Sequence, residues 1–157
     1  MIEGQTQTME YPNTDPRVFG IFVEWIYTQT LGRDCYKAES ASRIVELWIL
    51  ADHLLIPALQ NLAIRVLCGY NYWFPDLETL QMAYANTGLE SPIRRLLIKA
   101  YAIRSKFSKD WMSTVELEGQ IFFDIAFFLK SIMALPDTSF NGMAHYLNVG
   151  DYLSSEV

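Results

Sequence analysis

A proline in the middle of an apolar stripe is the feature that most constrains this chain. The stripe, ELWILADHLLIPALQNLAI, covers residues 46–64 and contains Pro57. Proline cannot donate the backbone hydrogen bond that a continuing helix needs, and it disfavours helical backbone at the preceding residue, Ile56. The sequence therefore predicts a break at Ile56–Pro57 between two helices, over about 42–54 and 57–67. Helical spacing predicts that these helices bury Ile44, Leu47, Trp48 and Ala51, and Leu59, Leu62, Ala63 and Val66, respectively.

Two short helices joined by a tight corner need a third element to pack on, and the preceding segment supplies one. Asp15 is placed to cap a helix that begins at Pro16 and runs through 16–28. Its apolar positions follow helical spacing at Val18, Phe22, Trp25 and Ile26, with Phe19 and Val23 widening the stripe. A stripe this wide predicts burial on more than one side. The residues expected to join the three helices in one core are Trp25, Trp48 and Leu62.

The segments that flank this helix are predicted to be less regular. Residues Thr6–Tyr11 alternate weakly between polar and apolar types, which predicts one short strand with no obvious partner strand in the chain. Residues 31–42 contain glycine, mixed charges and a serine-rich end, which is typical of a connecting loop.

Neither of the two most apolar runs fits a membrane span, which needs about 20 nearly uncharged residues. The run at 46–64 contains Asp52, and the shorter run at 121–135 contains Asp124 and Lys130. The N-terminal residues have neither the basic start nor the apolar core of a signal peptide. We therefore expect no membrane partner and a cytoplasmic or nuclear location.

The charge and the cysteine content exclude several further classes of protein. A net charge of −6 with only 12 lysines and arginines argues against nucleic acid, because phosphate binding depends on these residues. Cys35 and Cys68 are too few for a metal set or a disulfide framework, so we interpret them as reduced structural thiols. A hydrophobic content of 51% is high. Either the core is unusually full, or apolar surface meets a partner.

No pattern in the sequence combines an acid, a base and a nucleophile, which predicts a protein that is not an enzyme and binds no cofactor or metal. His53 lies at the end of an apolar helix, where a partly exposed hydrogen-bonding role is expected. Adjacent helical residues point about 100° apart, so Arg94 and Arg95 cannot form one clamp. We expect one of them to face solvent and the other to pair with a carboxylate, such as Glu90 or one on a neighbouring helix.

Two segments resemble a BTB/POZ domain of the fungal type. The first is DPRVFGIFVEWIYT with its Tyr27–Thr28 ending, followed by a polar loop and the corner LADHLLIP at 50–57. The second is SPIRRLL at 91–97, which is similar to the helix that follows the BTB core in many fungal members. The resemblance implies a mostly α chain. Residues 1–70 would form the C-terminal helical half of a BTB/POZ-like α/β domain with one short strand, and 71–157 an α-helical extension.

The family's N-terminal strands and helices, which carry most of its dimer interface, have no counterpart here, so the resemblance implies a truncated domain. It implies a protein–protein interaction module that self-associates or binds a BTB partner. A finer version is a substrate adaptor for a cullin-based ubiquitin ligase, because adaptors carry a hydrophobic–x–Glu motif that Met1, Ile2 and Glu3 would match. A frayed N-terminus is the alternative for these residues. The alternatives for the whole chain are a fragment without independent function, and an orphan enzyme or small-ligand binder.

An aromatic cluster, GYNYWFP at 69–75, is a second candidate for partner binding. Tyrosine and tryptophan are enriched where protein interfaces are strongest, so Tyr70, Tyr72 and Trp73 are the candidate residues. The alternative is that these side chains fill the seam between the two helical parts of the chain.

Overall fold

The computed structural model describes residues 14–70, 73, 75–104, 119–133 and 149–153. Within those ranges the chain is mostly helical and has no strand, so the mostly α prediction is confirmed. The predicted strand at Thr6–Tyr11 lies outside the described residues. The α-helices are α1 (Pro16–Thr28), α2 (Ala41–His53), α3 (Pro57–Gly69), α4 (Leu77–Asn86), α5 (Pro92–Arg104) and α6 (Gly119–Met133). Short 3-10 turns cover Arg33–Tyr36, Ala38–Ser40 and Val149–Tyr152.

Helix α1 begins where the sequence predicted. The Asp15 carboxylate accepts a hydrogen bond from the Arg17 backbone N–H at 2.8 Å, and Pro16 occupies the first helical position. A second bond ties this end to α2, because the Asp15 backbone N–H donates to Glu46 Oε1 at 2.7 Å. The helix ends at Gln29, whose φ of 55° lies in the left-handed region.

The predicted break between α2 and α3 is confirmed, and its geometry is a Schellman motif. The Leu55 N–H donates to the Asp52 carbonyl at 3.1 Å, and the Ile56 N–H donates to the Ala51 carbonyl at 2.9 Å. Leu55 takes the left-handed position that glycine usually fills, with a φ of 56°. Pro57 then starts α3, where its missing N–H leaves no helical hydrogen bond unmade.

Helix α2 lies at the centre of the core and packs against α1, α3 and α4. Trp25 and Trp48 are buried as predicted. Leu62 is only partly buried and packs against the edge of this core, so its predicted core position is confirmed only in part. It lines a surface groove together with Tyr36 and Arg65.

The second part of the chain continues the same core. Asp76 caps α4 by accepting from the Thr79 N–H at 2.7 Å. Helix α4 packs on α2 and α5, and α5 packs on α6. The turn Val149–Tyr152 packs on α3 and α5 and buries the Tyr152 ring between them.

Candidate interaction surfaces

Helix α1 exposes a row of large apolar side chains. Phe19 is 50% exposed, Ile26 48% and Tyr27 84%, and the partly buried Val23 lies between them on the same side of the helix. The prediction that α1 is buried on more than one side is therefore wrong. Helix α2 packs on the side that carries the buried Val18 and Trp25, and Ile21 and Phe22 are partly buried at the edges of that side.

We call this row, Phe19, Val23, Ile26 and Tyr27, the α1 apolar face. At 100° per residue these four side chains share an arc that contains no charged residue. The nearest charges on the helix, Arg17 and Glu24, lie to one side of that arc. The Phe19 and Phe22 rings are 6.0 Å apart between centroids, which continues the apolar surface toward the core.

Only part of the predicted aromatic cluster falls within the described residues. Tyr70 is buried, and its hydroxyl donates a hydrogen bond to the Cys35 carbonyl. Its ring meets the half-buried Trp73 edge to face, with centroids 6.0 Å apart. These contacts fit the seam interpretation, and partner binding by the pair stays a prediction. Tyr72 lies outside the described residues, as do Met1, Ile2 and Glu3.

The cysteines and the described histidine have ordinary structural environments. Cys35 and Cys68 are both free thiols. Burial raises the pKa of the Cys35 thiol and raises that of Cys68 to about 11, so neither is a ready thiolate nucleophile. His53 is exposed, and its Nε2 lies 3.1 Å from the Asn86 carbonyl oxygen, which matches the hydrogen-bonding role expected for it.

A second surface feature is a groove of about 330 Å³ between the α4–α5 connection and α6. One wall belongs to α5 and carries Arg94, Arg95 and Lys99. The opposite wall belongs to α6 and carries aromatic side chains. We call this feature the α5–α6 groove, and its full lining is Tyr84, Leu89, Glu90, Arg94, Arg95, Ile98, Lys99, Asp124, Phe127, Phe128 and Ser131.

Arg94 is the least expected residue of this groove. Its Nη2 donates to the Tyr84 carbonyl at 2.7 Å and to the Thr87 carbonyl, and its Nε donates to Thr87 Oγ1 at 2.9 Å. The guanidinium carbon lies 4.4 Å above the centre of the Tyr84 ring. Arg95 faces solvent as predicted, but the predicted carboxylate partner for the other arginine is wrong. Arg94 instead binds oxygens that the end of α4 leaves without helical partners.

A hydrogen-bonded bridge joins α4 to α6 across one end of the groove. The Tyr84 hydroxyl donates to Asp124 Oδ2 at 2.6 Å, and Gln120 Nε2 donates to Asp124 Oδ1 at 2.9 Å. Burial, together with the hydrogen bond to Asp124, raises the pKa of the Tyr84 hydroxyl above its ordinary value of 10.0. Tyr84 therefore stays a neutral donor at physiological pH. No local pattern predicts this bridge, because its two ends lie 40 residues apart in the sequence.

The described residues include no cluster of three or more histidine, cysteine, aspartate or glutamate side chains that could hold a metal ion. In the same ranges, no helix has both the length and the apolar character that crossing a bilayer requires. The chain thus presents an apolar helix face and a groove with one basic and one aromatic wall. No family model, no curated protein and no solved structure matches it.

Proposed function

We propose that this chain is a non-catalytic protein–protein interaction module of BTB/POZ type, and that it acts in the cytoplasm or nucleus. The observation that carries the proposal is the α1 apolar face, where large side chains are exposed on a helix whose other side is firmly packed. Exposed apolar patches of this kind mark sites of protein association. The order of α1, a polar connection and the α2–α3 corner agrees with the family resemblance and supports the proposal.

The occupant that we propose for the α1 apolar face is the same face of a second copy. A chain with a net charge of −6 repels its own copies, so self-association is favoured where the meeting surfaces carry no charge. The arc of the α1 apolar face meets that condition. Two copies related by a two-fold axis would pack Phe19 and Ile26 against each other, which is the usual symmetry of a homodimer.

Sedimentation velocity over a range of protein concentrations tests this proposal. The wild-type chain is expected to associate reversibly, and the double variant Phe19→Asp/Ile26→Asp is expected to stay monomeric with an unchanged far-UV circular dichroism spectrum. Ala58→Asp is the matched control, because it places the same charge at an exposed position on α3. A wild-type chain that is monomeric at every concentration, or a control that dissociates as fully as the double variant, would overturn the proposal.

The finer version of the proposal is a substrate adaptor that binds a cullin scaffold through Met1, Ile2 and Glu3. Its support is the hydrophobic–x–Glu pattern alone. Calorimetric titration with a cullin tests it. Glu3→Ala should weaken binding by about tenfold or more, since it removes a hydrogen bond to a charged group. A chain that binds no cullin would remove the adaptor version and leave the self-association proposal standing.

A further inference from the structure

The Arg94 guanidinium is buried, fixed in place and still has unused hydrogen-bonding capacity. The residue is only 7% exposed. Its three hydrogen bonds use Nε and Nη2 and end on two carbonyls and one hydroxyl, all of them neutral. Within the described part of the chain, Nη1 has no hydrogen-bond partner. It is not one of the fully buried polar atoms without a partner, so solvent can reach it. Nη1 is therefore a preorganised donor at the surface of the α5–α6 groove.

The charges around Arg94 leave the α5 wall of the groove positive. Arg95 and Lys99 lie on the same wall and add two further cations. Both also contact the Val149–Tyr152 turn, where Arg95 Nη2 donates to the Asp151 carbonyl at 3.4 Å and Lys99 Nζ lies 5.0 Å from the centre of the Tyr152 ring. Of the two carboxylates in the lining, Asp124 already accepts hydrogen bonds on both oxygens. Those bonds come from neutral donors and leave its charge in place, so the lining carries three cations against two carboxylates, in a chain whose net charge is negative. A negatively charged ligand group would therefore be favoured beside this wall more than beside the parts of the surface where carboxylates predominate.

The rest of the lining favours an apolar ligand group. Leu89 at the mouth is 71% exposed, and Phe127 on the α6 wall is 67% exposed, although both line the groove. Phe128 and Ile98 lie deeper and are more buried. A ligand side chain that covers Leu89 and Phe127 would remove apolar surface from water, and this is the main source of binding energy in such grooves.

We propose that the α5–α6 groove binds a short acidic and apolar segment of a partner protein. A carboxylate of that segment would accept hydrogen bonds from Arg94 Nη1 with support from Arg95 and Lys99. A neighbouring large apolar side chain of the segment would pack on Leu89 and Phe127. This inference goes beyond the self-association proposal, because it concerns different helices. It would still stand if the α1 apolar face proved not to associate.

Fluorescence anisotropy with short labelled peptides tests the inference on the full chain. The probe has a Phe-Glu-Leu core flanked by glycine and serine, and two matched peptides replace Glu by Gln, or Phe and Leu by Ser. The Glu peptide is expected to bind about tenfold or more tightly than the Gln peptide, because it adds charge-assisted hydrogen bonds. Its affinity should fall as salt is raised, since exposed cations contribute. The Ser peptide should bind more weakly still.

Variants of the chain locate the binding site and keep the test independent of Arg94, whose replacement also disturbs the end of α4. Phe127→Glu and Arg95→Gln should each weaken binding of the Glu peptide by about fivefold or more. The matched controls are Phe122→Glu, on the same helix but outside the groove, and Arg65→Gln on α3. Both should bind as the wild-type chain does, and so should Phe19→Asp/Ile26→Asp.

Three results would overturn the inference. The first is equal affinity for the Glu and Gln peptides. The second is a loss of affinity in Phe122→Glu as large as in Phe127→Glu. The third is an absence of binding by the Glu peptide. If Phe127→Glu also abolishes self-association in that case, the groove belongs to a second copy of the chain.

Discussion

Helices α1 and α2 pack side by side, are equally long and are equally rich in apolar residues, yet they differ sharply in burial. Each has 13 residues. The apolar residues of α1 are Val18, Phe19, Ile21, Phe22, Val23, Trp25, Ile26 and Tyr27, and those of α2 are Ala41, Ile44, Val45, Leu47, Trp48, Ile49, Leu50 and Ala51. All eight of α2 are buried, but only Val18 and Trp25 of α1 are.

The difference between the two helices comes from their neighbours and not from their composition. Helix α2 has α1, α3 and α4 packed around it, so all of its apolar side chains are covered and only a polar side, with Ser42 and His53, stays exposed. Helix α1 meets α2 on one side and leaves Phe19, Ile26 and Tyr27 in solvent. Apolar residues on α2 therefore stabilise the fold, whereas those on the α1 apolar face are available for association.

The largest expected effect comes from removing an aromatic side chain from each helix. Trp48 on α2 is 1% exposed, so Trp48→Ala leaves a cavity in packed surroundings and should cost about 3–5 kcal/mol of unfolding free energy. Phe19→Ala on α1 removes a half-exposed ring and should cost no more than about 1 kcal/mol. Chemical denaturation measures both values. Equal losses would show that α1 is covered as completely as α2.

A smaller effect is expected at the bond that fastens α1 to α2. Glu46→Ala leaves the Asp15 backbone N–H without its acceptor and should cost about 1.5 kcal/mol. Glu46→Gln keeps a neutral acceptor, so it should lose roughly half as much. Chemical denaturation gives the energies, and amide exchange at residues 15–18 shows whether α1 loosens. Unchanged exchange there in Glu46→Ala would mean that packing alone holds α1 in place.

The ends of the two helices provide a third comparison. A non-glycine residue with positive φ follows the end of each helix, Gln29 directly after α1 and Leu55 two residues after α2. Leu55 is exposed, so Leu55→Gly relieves backbone strain without losing contacts and should stabilise the chain by about 0.5–1 kcal/mol. Gln29→Gly should gain less, because the Gln29 side-chain amide donates to the Trp25 and Ile26 carbonyls. Thermal unfolding compares them, and a destabilised Leu55→Gly chain would contradict the strain argument.

The smallest expected effect is a pH dependence confined to α1. Hydrogen bonds from Arg17 lower the pKa of the Asp15 carboxyl below its ordinary value of 3.8. A lowered pKa means that the unfolded state binds the proton more readily. The cap therefore contributes fully above pH 3.8 and is lost as the pH falls through the lower, folded value.

We therefore expect the first turn of α1 to fray in acid before the first turn of α2, whose N-cap residue Ser40 makes no side-chain capping bond. Amide chemical shifts of Val18 and Ile44, followed by NMR through an acid titration, report the two turns separately. In Asp15→Asn the acid-dependent change at Val18 should shrink. A change at Ile44 that precedes the one at Val18 would contradict this assignment of the cap.

Local rules in the sequence predicted the backbone well. The Asp15 cap, Pro16 at the first helical position, the Pro57 break and the buried residues of α2 all follow from hydrogen-bonding and periodicity arguments. Those arguments cannot say how many helices surround a given helix. For that reason they predicted that α1 is buried on more than one side, which was wrong, and that Leu62 is a core residue, although it is only partly buried at the edge of the core.

The α5–α6 groove shows a different limit of sequence reasoning. A pair of arginines on a helix suggests a carboxylate partner, but Arg94 instead binds oxygens at the end of α4. The seven-residue spacing between Thr87 and Arg94 was the available signal. It becomes meaningful only once α4 and α5 are known to be joined by a short turn. The bridge from Tyr84 to Asp124 depends on the packing of α6 and left no local trace.

The central claim is that the α1 apolar face is open in the single chain and covered by a second copy. Hydroxyl-radical footprinting at low and high protein concentration measures this directly, because it reports the exposure of individual aromatic side chains. The account predicts fast oxidation of Phe19 and Tyr27 in dilute solution, slower oxidation of both in concentrated solution, and slow oxidation of Trp48 throughout. The account would be contradicted if Phe19 were oxidised as slowly as Trp48 in dilute solution. It would also be contradicted if Phe19 were oxidised equally fast at both protein concentrations.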